Sequence, residues 1–260
     1  MQLISEKITI ATSGPTPLPT GRPINVFSLL SGYVELSQPA STRDLRTLAG
    51  LAKSEAAASA IQKMTDAYAE EVLAKRLSLL DILEDTPDIK LSFGAFLQLL
   101  PSMRVRQYSI SSSPLANPQR ATLTISVLEA PAISGRREPF LGVASTYLAS
   151  LRPGDKVQLA IRPSNAAFHP PSDPKVPLVM FCAGSGLAPM RGFLQERAIQ
   201  KQSGREVAKS LLFFGCRSPT QDYLYAESDL KEWVELGIVD VRPAFSRASG
   251  ESSGCKYVQE

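Results

Sequence analysis

The chain has 260 residues, a net charge of +3, and 43% hydrophobic and 20% charged residues. That is enough apolar material for two cores, and too little basic excess to argue for nucleic acid or an anionic membrane surface as a partner. Cys182, Cys216 and Cys255 form no CxxC pair and leave an odd count, which argues against a disulfide framework and fits a reducing compartment. The single histidine, His169, lies beside a double proline and cannot build a histidine-rich zinc site. No apolar run approaches the ~20 residues that a bilayer requires. The N-terminus lacks the basic-then-apolar layout of a signal peptide. The expectation is a cytoplasmic protein with no transmembrane segment.

Along the chain, Ile8-Thr9-Ile10 alternates and is followed by Pro15, Pro17, Pro19 and Pro23. From about Asn25 to Leu100 the pattern turns helical. Ile61, Met64, Tyr68, Val72, Leu79, Leu80 and Leu83 recur mostly at three-, four- and seven-residue steps, which predicts an amphipathic helix that Pro87 ends. Ser92 caps a short helix that Pro101 stops. This stripe is a packing face and carries no chemistry.

After Pro101 the pattern changes. Tyr108 to Ser112 reads extended, and residues 122–128 alternate strictly, as a half-buried strand does. Pro153-Gly154-Asp155 is a turn before a further strand, Lys156 to Ile161. Short strands separated by turns suggest a small antiparallel barrel. From Pro177 the order becomes strand, helix, strand, helix, strand. Leu178 to Cys182 is a continuous apolar run, as in a parallel strand covered on both faces. Gly184-Ser185-Gly186 turns the chain into a helix reaching about Lys201. Lys209 to Phe214 is the next strand, 222–236 a second helix and Ile238 to Ala244 a third strand. This is part of a doubly wound sheet, whose ligand crevice lies at the carboxyl ends of its strands.

Several motifs carry chemistry. Arg106-Gln107-Tyr108-Ser109, extended by Ile-Ser-Ser-Ser, offers a forked cation suited to a pyrophosphate, an aromatic plane and a hydroxyl. Alternation puts Arg106 and Tyr108 on one side of an extended strand. Gly142-Val143-Ala144-Ser145 presents backbone amides at a helix start. Gly184-Ser185-Gly186-Leu187-Ala188-Pro189 is a glycine turn between an apolar strand and a helix, where backbone can approach a phosphate. Phe214-Gly215-Cys216-Arg217-Ser218 precedes Asp222-Tyr223-Leu224-Tyr225, and Cys216 reads as a small buried residue at a strand end rather than a nucleophile. Ser246-Arg247 and Lys256-Tyr257-Val258-Gln259 close the series.

In this order, these motifs resemble the FAD/NADPH half of the diflavin reductases, within the ferredoxin-NADP reductase superfamily. The resemblance covers nearly the whole chain and is greatest to the reductase part of self-sufficient cytochrome P-450 fusions. It implies a mixed α+β and α/β fold: a partial antiparallel FAD-binding barrel with a helical insert, followed by a partial doubly wound NADP-binding sheet. The implied divisions are a partial barrel segment at 1–24, a helical connecting insert at 25–100, the FAD-binding barrel at 101–172 and the NADP-binding domain at 173–260.

By the same resemblance, Arg106 holds FAD phosphate, Tyr108 stacks on the flavin, and Ser109 assists hydride transfer as the catalytic residue. Gln107, Thr124, Ile125, Ser126 and Gly142, Val143, Ala144, Ser145 complete the FAD contacts. Gly184, Ser185 and Gly186 receive NADPH, and Ser246, Arg247, Lys256, Tyr257 and Gln259 form the pocket for its 2′-phosphate. Three departures stand out. Ser185 replaces the usual threonine, Cys182-Ala183 replaces Gly-Pro, and Lys256 is displaced by one position from the family pattern. No metal site is implied. The implied reaction passes hydride from NADPH to FAD and then single electrons to FMN or a haem partner, a cytochrome P-450 in the fusions.

Complete relatives carry an FMN domain and first barrel strands upstream, and a terminal strand pair with an aspartate and an aromatic downstream. The resemblance therefore implies a chain cut at both ends, with FMN only on a missing domain or partner. Two other readings remain open: a catalytically silent remnant that binds nucleotide or a partner, and a sulfite reductase or nitric oxide synthase type of flavoprotein with a different acceptor.

Overall fold

The computed structural model describes residues 5–12, 14–165 and 167–260, so part of the expected 1–24 segment lies outside the described residues. The chain forms two compact units. One comprises the residues up to Arg106 together with Glu129–Leu141, and the other comprises Gln107–Leu128 and Gly142–Glu260.

In the first unit, β1 (Lys7–Thr9) pairs antiparallel with β2 (Pro23–Asn25). Asn25 caps α1 (Val26–Gly32) by accepting the Phe27 amide. Serines open the helices that follow: Ser41 starts α2 (Thr42–Leu51), Ser54 starts α3 (Glu55–Asp66), Ser78 starts α4 (Leu79–Asp85) and Ser92 starts α5 (Phe93–Leu99). Each side chain accepts an amide of the first turn, and Ser41 and Ser78 complete capping boxes with Asp44 and Asp81. Leu29, Leu45, Leu48, Ile61, Val72 and Ile82 form the centre of a helical core.

The apolar stripe from Ile61 to Leu83 is therefore not one helix. After α3 the chain makes a π-helical turn at Ala69–Leu73, and Arg76 takes a left-handed φ of 53° before α4 restarts at Ser78. The stripe survives because every piece turns its apolar side to the same core, while local hydrogen bonding breaks the axis. A short hairpin, β3 (Glu129–Ala130) with β4 (Phe140–Leu141), completes the unit. Its Arg136 forms ion pairs with Asp81 and Glu84 of α4.

The second unit centres on a parallel sheet with consecutive order β5 (Val179–Ala183), β6 (Ser210–Cys216) and β7 (Val239–Phe245). Between them run α7 (Leu187–Gln202) and α8 (Asp229–Glu235). A separate helix, α6 (Val143–Ser150), follows Gly142. Residues 224–228 form turns and 222–223 are not helical, so the second crossover helix is shorter than the expected 222–236. Trp233 sits inside α8 and is buried.

Two expectations for this region change. Leu178–Cys182 is not covered on both faces. Met180, Cys182, Leu212 and Phe214 pack against Leu187 and Leu194 of α7 and Leu230 and Trp233 of α8, whereas Val179 and Phe181 are exposed. Right-handed crossovers between strands laid down in one direction put both helices on one face. On the opposite face Phe181 stacks on Phe213 at 4.7 Å. The strands expected at 122–128 and 156–161 form no ladder among the described residues, apart from the bridge of Ile110 to Leu123. Alternation specifies which side chains face in, but a strand also requires a neighbour to accept its backbone hydrogen bonds.

Candidate flavin and nicotinamide nucleotide sites

Arg106 belongs to the first unit. Its Nη1 donates to Glu35 Oε1 at 2.5 Å and to the Arg104 carbonyl at 2.6 Å. Glu35 is buried and also accepts the Arg104 amide at 3.0 Å. The Arg106 hydrogen bond, working against burial, holds the Glu35 carboxyl below its ordinary range. Sequence reading did not single out Glu35, which lies 71 positions from its partner with no local signal to announce it.

The rest of the flavin motif lies in the second unit. Gln107 and Ser109 are exposed and Tyr108 is half-buried. The bridge from Ile110 to Leu123 is antiparallel, which sets Ser109 opposite Thr124 and Ser111 opposite Thr122. Thr124 Oγ1 pairs with the Tyr225 hydroxyl at 2.8 Å, Ile125 is half-buried and Ser126 exposed. Serines 111 and 113 are buried: the Ser113 amide donates to Gln195 Oε1 at 2.8 Å and its hydroxyl to Glu196 Oε2 at 3.2 Å.

At α6 the first-turn amides have no side-chain cap. The Ser145 hydroxyl is committed elsewhere: it donates to the Gly142 carbonyl at 3.2 Å and accepts the Leu128 amide at 3.0 Å. A Cβ added at Gly142 would meet Ser145 Oγ at 2.7 Å and Leu128 Cβ at 2.8 Å, so only glycine fits there. Ser145 thus braces the loop through its hydroxyl, and the donors left to an anion are the first-turn amides of α6.

The nucleotide motifs gather at the carboxyl edge of the parallel sheet. Gly184–Gly186 makes a 3-10 turn after β5, with Gly184 at φ +51°. A Cβ added at Gly184 would have nothing within 4 Å, and one at Gly186 only Cys182 Cβ at 3.9 Å. Bare amides ahead of a 16-residue helix fit a phosphate. Pro189 falls within the first turn of α7, where its missing donor costs nothing.

Beyond β6 and β7 the strands stay paired: the Ser246 amide donates to the Cys216 carbonyl and the Arg247 amide to the Arg217 carbonyl, both at 2.9 Å. Val258 lies over Gly215, whose added Cβ would be 3.1 Å from Val258 Cγ1 and 3.6 Å from Ala183 Cβ. This brings the 256–260 segment to the same edge, with Tyr257 and Gln259 exposed and the Lys256 amide donating to Glu260 Oε2 at 2.6 Å.

Arg217 was not among the expected contacts, yet it sits beside Ser246 and Arg247, its Nε donating to Asp222 Oδ2 at 2.8 Å. Burial alone would push the Asp222 carboxyl up. The bonds from the Arg217 side chain and from the Arg217 and Ser218 amides outweigh it, and the carboxyl stays below its ordinary value. Cys182 and Cys216 are buried, and burial pushes their thiols up to about 12 and about 11.

Two domain families match the chain. Residues 6–147 match the family described as FAD binding domain, and residues 180–258 match the oxidoreductase NAD-binding domain. The chain belongs to the FAD-binding domain family. It is 68% identical over 258 residues to a self-sufficient cytochrome P-450 monooxygenase of Phanerodontia chrysosporium, covering 99% of this chain and 24% of that protein. It is 49% identical over 255 residues to a bifunctional cytochrome P-450/NADPH–P-450 reductase of Fusarium oxysporum, and 48% over 254 residues to one of Acremonium egyptiacum, each covering 97% of this chain and 24% of the relative. The chain thus spans about a quarter of the length of these relatives. No helix among the described residues is long and apolar enough to cross a membrane.

Proposed function

We propose that this chain is the part of an NADPH-dependent flavoprotein reductase that binds FAD and NADPH, passing hydride from NADPH to FAD and electrons on to an FMN domain or a haem protein of the cytochrome P-450 type. The observation that carries the reading is that Ser111 and Ser113, directly after Tyr108-Ser109 in the chain, are held within one unit on the helix that opens directly behind Gly184–Gly186. A flavin motif and a nicotinamide nucleotide loop fixed to one scaffold are what direct transfer between the two cofactors requires.

On this reading Arg106 binds FAD phosphate and Tyr108 offers its ring to the flavin. Ser109 is the catalytic hydroxyl, and Gln107, Thr124, Ile125 and Ser126 line the contact. The amides following Gly142 hold the pyrophosphate, and Ser145 keeps that loop in shape. Gly184, Ser185 and Gly186 take the NADPH pyrophosphate. Ser246, Arg247, Lys256, Tyr257 and Gln259 take the 2′-phosphate, with Arg217 as an added cation at the same edge. When bound, FAD supplies acceptance of two electrons and their release one at a time. The protein contributes orientation and charge.

The reading includes a partial FAD barrel spanning 101–172 with a helical insert at 25–100, an NADP-binding domain at 173–260, and a cytoplasmic location. A cytochrome P-450 acceptor is favoured over a sulfite reductase type because the relatives quoted are cytochrome P-450 proteins.

The test is to purify the chain, add FAD and then NADPH without oxygen, and record absorbance. A bound flavin band that bleaches on NADPH is the expected result. Failure to retain FAD, or a bound flavin that stays oxidised, overturns the reading for this chain.

A further inference from the structure

Arg191 lies in the second turn of α7, behind the glycine loop, and is only 12% exposed. Its Nη1 donates to the Ser111 carbonyl at 2.6 Å and reaches Thr122 Oγ1 at 3.4 Å. Its Nε and Nη2 meet Asp229 Oδ2, at the start of α8, at 2.6 and 2.5 Å. Its Cζ lies 4.6 Å from the Tyr225 ring centroid, and the Tyr225 hydroxyl holds Thr124. One guanidinium thus ties both arms of the flavin-motif ribbon to the loop after β6 and to the second crossover helix. The ribbon passes close to Gly192, where a Cβ would sit in ordinary contact, 3.5 Å from the Ser112 carbonyl. Gln195 and Glu196 extend the seam to Ser113. Positions 191, 192, 195 and 196 share one helix face, so the whole seam is one side of α7.

We infer that Arg191 is the positioning residue that sets the register between the flavin motif and the nicotinamide nucleotide loop; this rests on the function proposed above. Ser111, which Arg191 grips by its carbonyl, is two residues from Ser109, a separation of about 7 Å along an extended chain. Displacement at Ser111 is therefore transmitted to the catalytic hydroxyl and to Tyr108. The other end of the clamp is α7 itself, whose first turn follows Gly186. A misplacement of about 1 Å between reacting groups costs about 100-fold in rate, whereas binding of either nucleotide depends on contacts at its own loop. A planar fork suits this role, because it donates in two directions while its face lies on Tyr225; a lysine ammonium reproduces only part of that.

The experiment compares wild type, Arg191→Met and Arg191→Lys, each reconstituted with FAD. Stopped-flow flavin reduction by NADPH is measured beside the dissociation constants of FAD and NADP+. Amide hydrogen exchange is followed in the flavin-free chain. Arg191→Met is expected to slow reduction by at least about tenfold with both dissociation constants within about threefold of wild type, and Arg191→Lys to recover part of the rate. In the flavin-free Met variant the Ser111 and Thr122 amides exchange faster and those of β6 do not. Reduction at the wild-type rate in Arg191→Met overturns the inference and leaves the functional reading intact. So does unchanged exchange at Ser111, or loss of FAD and of thermal stability in step with rate in both variants, which makes the arginine merely structural. A wild-type chain that binds both nucleotides and is never reduced sinks the functional reading instead, and the inference with it.

Discussion

Glu35 and Arg106 make an ion pair whose two ends stand in different surroundings, and that difference can be tested. The Glu35 side chain is 8% exposed and the Arg106 side chain 35%. Arg106→Ala strands a carboxylate away from water with one remaining donor, the Arg104 amide at 3.0 Å. Glu35→Ala leaves a guanidinium that water can reach. Breaking a fully buried pair costs about 3–5 kcal/mol when one charge is stranded. With the amide still in place, Arg106→Ala is expected to cost about 2–3 kcal/mol. Glu35→Ala loses the same charge-assisted bond but leaves a hydrated partner, so about 1–2 kcal/mol is expected.

The two variants also separate with pH. In the wild type the Glu35 carboxyl lies below its ordinary value of 4.5, chiefly through the Arg106 hydrogen bond, against the opposing push of burial. Its stabilisation is complete above that value and is lost as pH falls through the folded-state pKa. Without Arg106, burial pushes the carboxyl upward, and protonation then relieves the stranded charge. The penalty of Arg106→Ala must therefore shrink as pH drops from about 7 to about 4, because the wild type loses stability over a range where the variant loses less. Urea unfolding of the flavin-free chain at several pH values measures this without interference from cofactor binding. Equal penalties for the two variants at neutral pH, or an Arg106→Ala penalty constant across that range, would refute the reasoning.

Further outcomes concern the other sites. Arg247→Ala should weaken NADPH binding by about 10- to 100-fold, the value of a charge-assisted contact, while leaving NADH unaffected; calorimetric titration that shows equal losses for both nucleotides removes Arg247 from the 2′-phosphate pocket. Gly142→Ala drives a methyl group to 2.7 Å from Ser145 Oγ and 2.8 Å from Leu128 Cβ, and overpacking of that kind costs about 1–3 kcal/mol; an unchanged melting temperature would count against the brace. With Cys182 pushed up to about 12 and Cys216 to about 11, native labelling by a thiol reagent at about pH 8 meets thiolate fractions of about one in ten thousand and one in a thousand. Cys255, which is not buried, should be the one rapidly modified thiol, and fast labelling of Cys182 would contradict its burial.

What the sequence made legible follows the range of each interaction. Serine caps act within three residues, and Ser92 with Pro101 bracketed α5 as expected. The glycine turn between β5 and α7 was equally readable, because a phosphate-sized approach demands small residues at that junction. The stripe from Ile61 to Leu83 misled, since periodicity records which side faces the core and not whether the axis is continuous; a left-handed Arg76 carries no mark in composition. Likewise Leu178–Cys182 is apolar on both sides, but only connection order assigns helices to faces, and both crossovers here fall on one.

The same distinction divides the candidate sites. Residues proposed to touch a nucleotide are nominated by motifs, because each motif packs several chemical groups into four to six consecutive positions. Their supports are solitary: Glu35 lies 71 positions from Arg106, and Asp229 lies 38 from Arg191. A lone charged residue on a helix is read as solvated surface until its partner is seen. Arg191 carried one faint signal, a cation placed directly before a small residue on the helix behind a nucleotide loop. In the folded unit that adjacency has a use: the ribbon passes alongside Gly192, and the arginine beside it supplies hydrogen bonds that hold the ribbon there.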